Sequence, residues 1–138
     1  MIIAHKLIGS GRARKVVAQL KLSNIPLWII SGANNSIKND AFAYSLSPKT
    51  NEVEPLVKED FVLYTLSEAF MNEFRNFPAV ISPFTTVKNG ASSDVLLYQK
   101  IGMGATKNPL MSFRNHGAVK TAVFNGEGIW RWRLYDYA

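Results

Sequence analysis

The chain has 138 residues, 47% of them hydrophobic, and a formal charge of +6 from 16 basic and 10 acidic side chains. A chain of this size buries roughly two thirds of its unfolded surface, so one domain around one core is expected. Cysteine is absent, which excludes disulfides, thiolate metal sites and a cysteine nucleophile.

The positive charge is uneven, with Lys6, Arg12, Arg14, Lys15, Lys21 and Lys38 all preceding the first acid, Asp40. These residues are not interleaved with aromatics along a stripe, so a solvated or partner-covered face is expected rather than a nucleic-acid site. Met1 to Ile8 carries a basic residue within a short apolar run and lacks the apolar core and cleavage site of a signal peptide. No stretch reaches the roughly 20 apolar residues that span a bilayer, so a soluble segment without direct membrane insertion is expected.

The first predicted element is a helix over Arg12 to Leu22, where Ala13, Val16, Val17 and Leu20 approximate an apolar face. Ile25 to Ile30 is a continuous apolar run, the pattern of a strand buried on both faces in a parallel sheet, with Pro26 harmless at its start. Ala41 to Leu46 alternates as a short exposed strand, Ser47 to Asn51 reads as a turn, and Pro55 breaks the segment from Val53 to Val57.

Phe61 to Thr65 reads as a strand. Ser67 to Phe77 follows as an amphipathic helix, capped by Ser67, carrying Phe70, Met71, Phe74 and Phe77 at helical spacing, and stopped by Pro78. A long loop is predicted through Ser82 to Thr86 and Asn89 to Ser93. Strands follow at Val95 to Ile101, Leu110 to Phe113 and Val119 to Phe124, with hairpin-turn chemistry at Asn115 to Gly117. The chain closes on a glycine turn and a helix bearing aromatics and arginines, in which Trp130 and Leu134 share a face and Trp130 is expected to pack inward. No Gly or Pro follows to cap that helix, which fits a domain cut from a longer chain. The order of elements predicts a mixed sheet with helices on its faces.

Few residues invite chemistry. Gly9-Ser-Gly11 ahead of a basic helix matches neither phosphate-loop spacing, and a plain turn is the better reading. His5 and His116 are the only histidines, so neither a metal site nor a cofactor is expected. Ser31 follows a buried strand as a nucleophile does, but it lacks the glycine two residues earlier that a tight elbow requires. Glu127, between two glycines at a helix start, suits the helix dipole better than general-base work.

Leu27-Trp-Ile-Ile-Ser-Gly32, Asn51-Glu-Val-Glu-Pro55, Phe77-Pro78 with Ser82-Pro-Phe84, Leu97-Tyr-Gln-Lys-Ile-Gly102 and Gly126-Glu-Gly-Ile-Trp-Arg-Trp-Arg-Leu134 occur in this order. Together they resemble the class I glutamine amidotransferase-like region of large bacterial membrane-anchored proteins related to von Willebrand A-type proteins. The terminal motif, with Gly126, Gly128, Trp130, Arg131, Trp132 and Arg133, is the specific part.

The resemblance implies a flavodoxin-like three-layer α/β sandwich and places Ser31 at the turn where true amidotransferases carry a nucleophilic cysteine. It also implies a late histidine, and the region around Glu127 has none. Catalytic residues are therefore expected to be absent, leaving a noncatalytic binding or assembly module of a larger envelope protein. Its partners would be another protein or other domains of the same chain. The family's domains extend further at the amino end, so the sequence is expected to be a carboxy-terminal portion, with His5 to Leu22 as the helix before the central strand. A sheet edge exposed in this way would allow a homodimer. The alternative is a small-molecule or sugar-binding, or hydrolytic, relative of the trehalose-utilisation-type amidotransferase-like proteins, with a pocket at the strand ends lined by Ser31, Asn34 and Glu127.

Overall fold

The computed structural model describes residues 2–5, 11–32, 44–87 and 93–135. Among these residues seven strands and three helices run in the order β1 (Ile2–His5), α1 (Gly11–Leu22), β2 (Leu27–Ile30), β3 (Tyr44–Val57), α2 (Glu68–Asn76), β4 (Val80–Val87), β5 (Asp94–Ile101), β6 (Gly104–His116), β7 (Val119–Phe124) and α3 (Trp130–Tyr135).

Across the sheet the strands lie β1-β2-β7-β6-β5-β3-β4. β1, β2 and β7 run parallel, and every later neighbour pairs antiparallel. The chain is thus α/β with a mixed sheet. β1 reaches β2 through α1, the crossover that parallel neighbours require. The opening segment is therefore a strand, registered from Ile2 opposite Leu27 to His5 opposite Ile30, and α1 begins only at Gly11. That corrects the expectation of a helix over His5 to Leu22. β2 has a strand on each side, and Leu27, Ile29 and Ile30 are buried as its unbroken apolar run predicts. Val16 of α1 is exposed rather than part of an inward face.

Four of the chain's prolines lie inside strands, although Pro48, Pro55 and Pro83 were expected to mark a turn, a break and a loop. Pro48 sits in the β3 irregularity between Leu46 and Thr50. Pro55 lies beyond the reach of β4, which pairs with β3 only up to Val53, so the missing N–H faces no second neighbour. Pro83 is on β4 at the end of the strand order. Pro109 precedes the first β6 residue paired with β7, Met111. Proline is tolerated where a strand is bulged or paired on one side only. The turn expected at Ser47 to Asn51, the break at Pro55 and the loop at Ser82 to Thr86 are all strand for this reason.

The strand expected at Phe61 to Thr65 is a series of bends. Phe61 and Tyr64 meet edge-on with ring centroids 4.9 Å apart, whereas an extended strand would separate them by about 10 Å. The next helix forms as predicted: Ser67 Oγ accepts the Phe70 N–H, and Pro78 follows Phe77 at the end. Both hairpins downstream turn in two residues, with positive φ at Gly102 and at Gly117.

The main core lies on the sheet face that carries Ile30, Phe124 and Leu97, against Phe61, Phe74 of α2 and Trp132 of α3. Burying one such side chain contributes roughly 1.5–3 kcal/mol, so this cluster dominates the apolar contribution. The Lys100–Glu54 pair joins β5 to β3 at 2.7 Å but is solvent-facing, and exposed pairs are worth at most about 1 kcal/mol.

Candidate functional site

The carboxyl ends of β2 and β7 lead into Ser31 and Glu127, two of the residues singled out by sequence. Ser31 follows β2 and is buried; its N–H donates to the Phe124 carbonyl at 2.9 Å and its hydroxyl donates to the same oxygen at 3.2 Å. Gly32 next to it takes φ of 75°. Asn34, like Gly9 and Ser10, lies outside the described residues. The β1 register puts His5 opposite Ile30, at this end of the sheet. His116, opposite Val119, stands at the other end of β7, five residues or about 16 Å from Phe124.

Glu127 is tied to β4 rather than to β2. Its N–H donates to the Ile81 carbonyl at 2.7 Å, and Ile81 returns the bond at 3.0 Å, forming an isolated antiparallel bridge. Gly126 makes that approach sterically feasible, because a Cβ there would stand 3.0 Å from the Ile81 oxygen. Gly128 takes φ of 99°, a conformation that glycine adopts at little cost, and turns the chain into α3. The glycine turn and short helix are as predicted, but the inward tryptophan is Trp132, 6% exposed, while Trp130 is 60% exposed. Trp130 instead lies under the Arg131 guanidinium at 5.6 Å, and Arg131 and Arg133 are exposed.

A buried polar cluster went unread in the sequence. Gln99 is fully buried and donates its amide to Ser82 Oγ at 2.8 Å and to the Pro83 carbonyl at 2.9 Å. The Ser82 hydroxyl donates in turn to the Asn125 carbonyl, and Asn125 Nδ2 donates to the Pro109 carbonyl at 3.3 Å. The cluster clamps β4 and the end of β7 onto β5. Its groups are neutral, and the donors are spent within the cluster, while among the described residues the buried Gln99 Oε1 has no hydrogen-bond partner. A glutamine within Val95-Leu-Leu-Tyr-Gln99 was the available signal.

A cavity of about 410 Å³ opens at the opposite, amino ends of β2 and β7. Its shape follows from register. Trp28, Ala122 and Phe113 are cross-strand neighbours in one row, so a methyl group lies between two large rings. The next row inward, Ile30, Phe124 and Met111, is filled by larger side chains. The row outward carries Lys120 opposite Asn115. Tyr64 borders the same space, and partial burial raises its phenol above the ordinary value. Among the described residues, no cluster of His, Asp or Glu is placed to hold a metal ion, and no helix is long and apolar enough to cross a membrane.

No family model matches the sequence, and no curated protein matches it. In backbone the chain is similar to Gan42B, a GH42 beta-galactosidase from G. stearothermophilus, with a TM-score of 0.58 at 9% identity over 98% of this chain and 20% of that one. It is similar as well to Agd3, a carbohydrate deacetylase, with a TM-score of 0.51 at 9% identity over 91% of this chain and 21% of that one. Cytoplasmic protein STM3548 from Salmonella typhimurium gives a TM-score of 0.50 at 14% identity, over 90% of this chain and 58% of that one. At these identities the likeness is one of fold alone. The chain spans about a fifth of the length of the galactosidase and of the deacetylase.

Proposed function

We propose that this chain is a noncatalytic amidotransferase-like module, on a flavodoxin-like three-layer plan, serving binding or assembly within a larger bacterial membrane-anchored envelope protein. Its partners on this reading are another protein or other domains of the same parent chain, and not nucleic acid. The observation that carries the reading is the turn after β2. Where the resembled family has a cysteine nucleophile, this chain has Ser31, buried, with its hydroxyl donating to the Phe124 carbonyl. A nucleophile needs a base to take its proton, and the Phe124 carbonyl that this hydroxyl reaches is not a base. No histidine follows His116 in the sequence, and Glu127 is bound through its backbone to Ile81. The share of the galactosidase and deacetylase chains that this fold occupies fits a module inside a larger protein.

The test is ammonia release from isotope-labelled glutamine by the wild type, Ser31→Ala and Glu127→Gln. All three are expected to match the protein-free rate. Release by the wild type that disappears in either variant overturns the proposal.

A further inference from the structure

The cavity at the amino ends of β2 and β7 has a polarity that follows from its rows. The inner end is bordered by Met111, the middle is the notch at Ala122 between Trp28 and Phe113, and the outer end carries the exposed Lys120 beside Asn115. β7 alternates its faces, so Lys120, Ala122 and Phe124 point to the same side of the sheet. Trp28 and Phe113 rise from strands two apart, which places their backbones about 10 Å from one another and leaves room for one flat ring between theirs.

Two groups here are unmatched. Among the described residues, the buried Trp28 Nε1–H has no hydrogen-bond partner, which native interiors rarely tolerate. The Lys120 ammonium makes no ion pair among the described residues. We infer that this cavity is a binding site for a small aromatic carboxylate, its ring seated over Ala122 between Trp28 and Phe113 and its carboxylate drawn to Lys120. Leu63 and Tyr64 border the same cavity on a stretch of bends. A neutral apolar molecule would leave the cation unanswered, and a small inorganic anion would leave the notch empty. The inference goes beyond the noncatalytic reading and does not depend on it, since Ser31 and Glu127 lie at the other end of the strands.

The probe is 2-naphthoate, titrated into the protein while the indole N–H resonances are followed by NMR, with the Trp28 signal assigned by its absence in Trp28→Phe. Saturable movement of that signal is expected. Affinity should fall about tenfold in Lys120→Met and for the uncharged 2-naphthalenemethanol, as loss of a charge-assisted contact implies. Ala122→Leu should abolish binding while leaving the hairpin folded by circular dichroism; Lys120→Met, at an exposed position, keeps the test valid should Ala122→Leu unfold. An unmoved Trp28 signal, equal affinity for the acid and the alcohol, or unchanged affinity in Lys120→Met overturns the inference, whichever way the glutamine assay turns out.

Discussion

Trp132 and Phe77 lie nearly face to face, with ring centroids 5.2 Å apart and planes 17° from parallel. The Trp132 indole N–H donates to the Pro78 carbonyl at 2.8 Å, while its ring meets Phe124 edge-on at 5.4 Å. One side chain therefore ties α3 to the end of α2 and to the centre of the sheet. A helix of six residues cannot be stable alone, so this anchor is what keeps α3 in place.

Trp132→Ala should consequently lower stability by about 3–5 kcal/mol, the range for removing a buried aromatic, whereas Trp130→Ala should cost less than about 1 kcal/mol. Urea unfolding of the two variants measures this directly. Equal losses would mean that Trp130 carries as much of the packing as Trp132.

Gln99 supplies the second prediction. Gln99→Leu keeps the volume but strips the donor from Ser82 Oγ and the Pro83 carbonyl, both buried. The Pro83 carbonyl keeps the Thr85 hydroxyl as donor, so the loss falls on Ser82 Oγ, and a buried group that loses its partner costs about 1–3 kcal/mol. The midpoint of chemical denaturation should drop accordingly with an unchanged slope. A neutral or stabilising result would show that the cluster relaxes around an apolar side chain.

The glycines of the terminal motif should respond differently from their neighbour Glu127. Gly126→Ala forces a Cβ to within 3.0 Å of the Ile81 oxygen, and Gly128→Ala requires a side chain at φ of 99°. Each should destabilise by at least about 1 kcal/mol. Glu127→Ala keeps both backbone bonds to Ile81 and should cost less than either in the same thermal melts.

Tyr64 gives a pH dependence. Burial raises its phenol, so the fold favours the neutral form. The associated stability is complete below the ordinary phenol value of about 10 and is lost as pH climbs from there through the raised value. The melting temperature of the wild type should therefore fall more steeply between pH 9 and pH 11 (on the order of one unit either side of that value) than that of Tyr64→Phe. Parallel curves would remove Tyr64 as the cause.

These elements differ in how far sequence revealed them. β7, α2 with its Ser67 cap and the turn at Gly117 follow from local pattern and were legible. β3 and β4 were not, because a proline's effect on a strand depends on whether a second strand lies alongside, which is set by residues far away in the chain. Periodicity grouped Trp130 with Leu134 correctly, and both are indeed on one face, but the direction of that face is fixed by Gly128 and the bridge to Ile81. The position of Ser31 after a buried strand was readable; the carbonyl that receives its hydroxyl, Phe124, is 93 residues away. The notch at Ala122 was invisible for a related reason. Only cross-strand register brings Trp28 and Phe113 to either side of it.

The prolines also govern where this sheet can grow. Beside Pro55, Pro83 and Pro109 an incoming strand would meet a gap in the row of donors, and a gapped row is a poor template for propagation. β1, from Ile2 to His5, carries no proline and stands at the end of the order. Among the described residues, recruitment of a foreign strand is thus steered to the β1 border, and the others are guarded against it by their prolines.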